Sequence, residues 1–226
     1  MSPLEKKLPA CPVGISDCDW VQQVDQLQQE VSRLQSQAST DPLTGLFNYR
    51  YFEQALRNEM QRSDRTGLPT ALVMVDLDLF KQVNDRWGHE GGNRALQLAA
   101  NVFRQELRVV DIVCRYGGEE FVLILPQTSL PMAVKVAQRV RATLQQSPVE
   151  FADSCFNITA SLGVALYQAH DNQSFEAFVD HADQYLYQAK QNGRNQVCHA
   201  DFASVRPLTS VSQEERAALF AKPEAD

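Results

Sequence analysis

The sequence has no apolar run that approaches the roughly 18 residues a membrane span requires. Its opening, MSPLEKKLPACPVG, has no apolar signal-peptide core. Basic residues are in deficit, with 21 Lys and Arg against 28 Asp and Glu for a formal net charge of −7. That balance argues against a nucleic-acid polymer or an anionic membrane as partner and leaves room for a local basic pocket. Cysteine is sparse and odd in number: Cys11, Cys18, Cys114, Cys155 and Cys198. Such usage suits a reduced, cytoplasmic protein and not a disulfide scaffold; Cys11 and Cys18 are a weak candidate for a metal or redox pair. What is present is core material. With 44% hydrophobic and 22% charged residues among 226, the chain can build one ordinary domain plus appendages, or at most two small domains, and wholesale disorder is excluded.

Residues 1–16 contain Pro and Gly without periodicity and are expected to be a flexible lead. Within 17–40, Trp20, Val24, Leu27, Val31, Leu34 and Ala38 are spaced 4, 3, 4, 3, 4, the repeat of a coiled-coil seam. Val at a and Leu at d favour a parallel two-stranded coil, hence a homodimer, although one amphipathic helix folded onto its own domain has the same pattern. Asp41-Pro-Leu-Thr-Gly45 breaks the helix. Helices are then expected over 48–65, 93–107, 131–146 and 175–191, and Lys81 opens a helix after an apolar strand at 71–75. A hairpin is expected from Asp111–Tyr116 and Glu119–Leu125 around Gly117-Gly118, then a strand over 156–167 interrupted at Gly163, and an edge strand at 195–199. The class is α+β, a mixed or antiparallel central sheet flanked by helices. Residues 41–202 form this domain, and 203–226 a loose tail with a helical stretch at 212–221.

Three local features carry chemistry. Val75-Asp-Leu-Asp78 sets two carboxylates at i and i+2 at the end of a strand, where both can leave one face; hard divalent cations favour such oxygens and share them with phosphates. A plainer role for either Asp is to cap the next helix. Arg115-Tyr-Gly-Gly-Glu-Glu-Phe121 places two glycines before two acids, so that the backbone can approach a ligand or adopt φ > 0; the plainer account is a tight turn. Lys190 and Arg194, at a helix end, and Lys81 could neutralise a triphosphate, or simply complement a helix dipole.

Taken together, Asp41-Pro-Leu-Thr-Gly-Leu-Phe-Asn48, Asp76-Leu-Asp-Leu-Phe-Lys-Gln-Val-Asn-Asp85, Gly88-His-Glu-Gly-Gly92, Arg115-Tyr-Gly-Gly-Glu-Glu-Phe121, Ser161-Leu-Gly-Val164 and Ala182-Asp183 through Ala189-Lys-Gln-Asn-Gly-Arg-Asn195 stand in an order that closely resembles the GGDEF family, the diguanylate cyclases, over residues 39–200. The resemblance implies a palm-like nucleotidyl-cyclase fold and condensation of two GTP into cyclic di-GMP and two pyrophosphates, across two facing domains. It implies that Asp76, the Leu77 carbonyl and Glu119 hold Mg²⁺ or Mn²⁺, two ions per active half-site, with Glu120 in support. By the same match Gly117 and Gly118 make room for the nucleotide. Amides near Leu79 and Phe80, with Lys81, Lys190 and Arg194, take the phosphates, and Asn84 binds the guanine edge. Arg108-Val-Val-Asp111, four residues before Arg115, matches an inhibitory product site, which Arg139 could complete from a neighbouring domain; Arg suits phosphate and the guanine Hoogsteen edge.

One departure matters. Asn93 stands where the family phrase has an acid that would accept from guanine N1–H and N2–H; Tyr49 and Tyr185 are milder departures. The resemblance therefore leaves two alternatives beside the cyclase: a catalytically weak domain that binds GTP or cyclic di-GMP as a receptor, and a cyclase of relaxed base specificity. The input signal is not legible in the chain.

Overall fold

The computed structural model describes residues 39–152, 154–169, 171 and 173–202, together with 23, 24, 26–30 and 34. In chain order the elements are β1 (Phe47–Asn48), α1 (Tyr49–Thr66), β2 (Thr70–Leu77), α2 (Phe80–Glu106), β3 (Ile112–Arg115) and β4 (Glu120–Leu125). They continue with α3 (Leu130–Gln146), β5 (Pro148–Phe151), β6 (Ser154–Asn157), β7 (Ala160–Tyr167), α4 (Phe175–Gln191) and β8 (Val197–His199). Six strands form one sheet in the order β1-β3-β4-β2-β7-β8. The sheet is mixed: β2 runs antiparallel to β4 and β7, and β3 to β4, while β1 pairs with β3 and β7 with β8 in parallel.

Strand β2 has no polar alternation because helices cover both of its faces; all eight residues are buried. Its odd positions, Val73 and Val75, join Leu123, Leu162, Ala95, Ala99 and Phe103 of α2, and Ala137 and Val140 of α3 in one core. Its even positions, Leu72 and Met74, join Phe52, Leu56 and Met60 of α1 and Phe178, Ala182 and Leu186 of α4 in the other. The period of two in the strand and of 3.6 in the helices thus sorts one sequence into two cores. The α+β class with a mixed sheet flanked by helices is as read from the sequence.

Three expectations change. The helix opened at Lys81 and the helix expected over 93–107 join into one element, α2, as two helical stretches that meet at a non-helical Gly88 (φ 70°, ψ 172°), so the second begins before Asn93. The strand expected over 156–167 is two strands broken at Ile158-Thr159, and β7 runs unbroken through Gly163. Gly163 is there for α4: a Cβ would lie 2.2 Å from the Ala182 carbonyl oxygen and 2.2 Å from the Leu186 nitrogen. The hairpin β5–β6 was not foreseen; its Phe156 stacks on Trp87 beside the kink, ring centroids 4.9 Å apart.

In the N-terminal segment the described residues are helical, and Leu27 and Leu34 are 65% and 52% exposed. Trp20, Val31 and Ala38, the lead 1–16 with Cys11 and Cys18, and the tail 203–226 lie outside the described residues. Among those described, no helix is long and apolar enough to cross a membrane.

Candidate active site

The site assembles at one end of β2. Antiparallel pairing puts Asp76 opposite Glu120, and the Leu77 N–H donates to the Glu119 carbonyl at 3.3 Å, so both acids of the hairpin stand beside the strand end. From the other side α4 brings Lys190, whose Nζ lies 2.7 Å from Asp76 Oδ2. Burial pushes the Asp76 carboxyl above its ordinary value; Lys190 opposes this, and Glu119 and Asp78 add to it. Glu120 is raised likewise, by burial first and then by Asp76. One lysine does not balance this concentration of carboxylate.

Asp76, the Leu77 carbonyl and Glu119 offer hard oxygen donors of the kind Mg²⁺ or Mn²⁺ takes. Among the described residues no three acidic, His or Cys side chains converge as a metal-binding group. The donor set fits a cation that completes its shell with water and substrate phosphate.

The two aspartates, expected to leave one face as a pair, have separate roles. Asp78 is committed inside the protein: it accepts from the Thr159 and Ser161 hydroxyls at 2.7 and 2.6 Å and from the Asn195 N–H at 3.0 Å. Asp76 alone is turned to the acidic site.

Leu79 bends the chain from β2 into α2 through a left-handed conformation (φ 56°, ψ 30°), and α2 begins with no side-chain cap. The Gln82 and Val83 amides donate to the Leu79 carbonyl, and the two ahead of them, Phe80 and Lys81, precede any intrahelical acceptor and are open to an anion, with Lys81 exposed in the same turn. Arg194 is exposed just past α4, in a left-handed turn with Asn195 (φ 64° and 45°). Asn84 lies against Gly92, where a Cβ would fall 2.0 Å from its Oδ1; the next residue, Asn93, is exposed. Gly117 and Gly118 are not at positive φ, contrary to one reading of the hairpin. Gly117 makes room for Glu120, whose Oε2 would sit 2.7 Å from a Cβ, and beside Gly118 there is nothing within 4 Å.

A second locus lies after α2. The Arg108 N–H donates to Asp111 Oδ2 at 2.8 Å, while Asp111 Oδ1 is buried without a hydrogen-bond partner. Burial raises the Asp111 carboxyl, against the pull of Arg108 and Arg139. Arg139, expected from a neighbouring domain, is thus within electrostatic reach of Asp111 in its own chain; its Nε donates to Glu106 Oε2 at 2.5 Å.

Sequence reasoning missed the role of Asp41 and Arg115. Arg115 Nη1 donates to both Asp41 carboxylate oxygens at 3.2 and 3.1 Å, and its Nε and Nη2 donate to the Gly118 carbonyl at 3.1 and 2.8 Å. Asp41 also accepts from the Thr44 N–H and hydroxyl at 2.8 and 2.6 Å. Burial would raise its carboxyl, but Thr44 and Arg115 together hold it low. The opening turn is thereby tied to the tip of the Gly-Gly hairpin. The signal was present, since each residue begins a quoted phrase, but nothing local says that the two phrases meet.

The family model described as diguanylate cyclase, GGDEF domain, matches residues 38–196. The response regulator PleD of Caulobacter vibrioides is 38% identical over 175 residues, covering 76% of this chain and 38% of that protein. The diguanylate cyclase DgcP of Pseudomonas aeruginosa is 39% identical over 160 residues, covering 71% and 24%. The chain thus spans well under half the length of these curated relatives. Among solved structures, the diguanylate cyclase SiaD of P. aeruginosa, in complex with its activator SiaC, superposes with a TM-score of 0.69 at 39% identity, covering 80% of this chain and 71% of that one. The coiled coil and GGDEF domain of DgcB from Caulobacter crescentus, in complex with c-di-GMP, gives 0.69 at 27% identity, covering 80% and 96%.

Proposed function

Because the chain belongs to the GGDEF family of diguanylate cyclase domains, we propose that residues 41–202 condense two GTP molecules into cyclic di-GMP. The observation that carries the reading is the contact of Lys190 with Asp76 at 2.7 Å, beside the Gly-Gly-Glu-Glu hairpin. A buried carboxylate and a cation within one contact are what a metal–triphosphate complex needs on its two sides. Asp76, the Leu77 carbonyl and Glu119 would hold Mg²⁺ or Mn²⁺, two ions per half-site, and such ions when bound acidify a hydroxyl and neutralise leaving pyrophosphate. Lys190, Lys81, Arg194 and the first amides of α2 bind the triphosphate, and Asn84 with Asn93 faces the base. Each 3′-hydroxyl attacks the α-phosphate of the GTP held by the opposing domain, so the reaction requires two chains. The exposed Leu27 and Leu34 support a coiled-coil dimer through residues 17–40. The orphan oxygen of Asp111 beside Arg108, with Arg139 near, supports a product-binding site that feeds back on the rate.

Asn93 favours a second reading, relaxed base choice. An ionised Asp only accepts, whereas Asn accepts and donates, which suits the N1 acceptor and N6 donor of adenine as well as part of the guanine edge. Incubation with Mg²⁺ and GTP, ATP or both, followed by mass identification of products, tests both readings. Cyclic di-GMP is the expected product, with a rate per chain that falls on dilution, and Glu119→Gln abolishes it while leaving the fold intact. Mixed dinucleotides would establish relaxed specificity, and binding of GTP without turnover would make the domain a receptor.

A further inference from the structure

Three successive residues after α4, Gly193, Arg194 and Asn195, have positive φ: 108°, 64° and 45°. For the last two, which carry side chains, the left-handed region is unfavourable and persists only where surrounding contacts over-determine it. Here those contacts come from three directions. The Ala189 carbonyl accepts from the Arg194 N–H at 3.0 Å and from Gln196 Nε2 at 2.9 Å. Arg141, on α3, donates from Nη1 to Asn195 Oδ1 at 2.9 Å. Asp78, just past β2 and only 7% exposed, accepts from the Asn195 N–H at 3.0 Å.

Asp78 is itself immobilised. Its carboxylate takes the hydroxyls of Thr159 and Ser161, and its own N–H donates to the Thr159 carbonyl at 2.8 Å. A carboxylate held by two hydroxyls, on a backbone that is itself hydrogen-bonded to Thr159, is a fixed point from which to hold a strained turn. It also lies two residues from Asp76. One strand end therefore presents the carboxylate facing the acidic site and, through Asp78, fixes the turn that carries Arg194 and closes the helix carrying Lys190.

We propose that Asp78 and Arg141 are positioning residues that clamp the left-handed Arg194–Asn195 turn and so set the distance between the metal side and the phosphate side of the site. The proposal rests on the reading of Lys190 and Arg194 as phosphate ligands. Neither clamp residue touches the nucleotide. Their effect is confined to the terminal phosphates and leaves recognition of base and sugar unchanged.

The test uses the full chain with Mg²⁺ and an α,β-methylene analogue of GTP, whose bridging carbon blocks pyrophosphate release. Affinity is measured by calorimetry for the analogue, and by competition for GMP, which lacks the two terminal phosphates. Asp78→Ala and Arg141→Met should each weaken the analogue by about tenfold, as expected when hydrogen bonds to a charged ligand lose alignment, with GMP unchanged. Asp78→Asn should rescue: its amide oxygen still accepts from the Asn195 N–H while its NH₂ turns to the Ser161 hydroxyl. Since both Asp78 variants remove the same charge, the contrast between them isolates the hydrogen bond. If Asp78→Ala does not fold, Arg141→Met decides, because it removes a contact of Asn195 from the far side of the turn. Unaltered analogue affinity in Arg141→Met, or equal loss for analogue and GMP, overturns the clamp. If the unaltered chain binds neither ligand, the nucleotide reading falls, and the clamp with it.

Discussion

Replacing Gly163 with Ala probes the contact on which the site's cation depends. Strand β7 pairs with β2 along its whole length, and α4 lies directly on it at this position. The added methyl would sit 2.2 Å from both the Ala182 carbonyl oxygen and the Leu186 nitrogen, and 2.8 Å from Leu186 Cα. All three are main-chain atoms on the buried face of α4, so no rotamer change relieves the overlap; α4 must move outward. Overpacking of this kind costs about 1–3 kcal/mol, and the upper end applies because backbone faces backbone. At a urea m-value of about 2 kcal/mol/M, the midpoint falls by roughly 1–1.5 M. Because α4 carries Lys190 to Asp76, KM for GTP should rise in the fraction that remains folded. Gly118→Ala is the internal control: it has no neighbour within 4 Å and no positive φ, so its stability should stay within about 0.5 kcal/mol of the unaltered protein, while its methyl intrudes where the nucleotide is proposed to lie. A Gly163→Ala midpoint within experimental error of the unaltered chain would refute the packing argument.

Two further outcomes follow from buried titratable groups. Burial lifts the Asp76 carboxyl above its ordinary 3.8, against Lys190; a carboxyl raised on folding costs nothing below its unfolded pKa, begins to cost stability as pH rises past that value, and costs the full amount above the folded one. Without metal or nucleotide, Asp76→Asn should therefore raise the melting temperature at pH 8, with the gain vanishing toward pH 3.8; a gain independent of pH would remove the carboxyl's charge as its cause. Burial pushes the Cys114 thiol up to about 12, whereas Cys155 is exposed. Iodoacetamide at pH 8 should alkylate Cys155 quickly and Cys114 only as the domain unfolds, and peptide mapping that finds Cys114 modified first would contradict its placement.

The helices and the two central strands were legible because their signals are local. Phe52, Leu56 and Met60 mark one helical face, and the run from Ala71 to Val75 marks a buried strand. Each pattern names the face it buries. The hairpin β5–β6 was not legible, because Pro148–Phe151 and Ser154–Asn157 lack a clean alternation. Their fixed point is a distant ring, Trp87, on which Phe156 stacks. Glycine misled at Gly163 in β7, which looks like a break yet is a point where the backbone of α4 comes too close for a Cβ. From sequence, a glycine that ends an element and one that lets another group approach are the same letter.

The same limit governs the site. Asp76 and Asp78 share a strand end, a charge and a spacing, so any argument from type and period assigns them together. Only the partners separate them. Asp78 meets two hydroxyls and an N–H, which occupy its oxygens and suppress any further ligand role; Asp76 meets one flexible lysine and is crowded by Glu119 and Glu120, an arrangement that gains from an added cation. The distinction rests on residues 81 to 117 positions away from Asp78, Thr159, Ser161 and Asn195. Local pattern thus shows where chemistry is placed, while division of labour among neighbouring groups is written in long-range contacts. Asp41 and Arg115, 74 positions apart, follow the same logic: each reads alone as a turn or strand-end residue, and the geometry joins them into the support of the Gly-Gly hairpin.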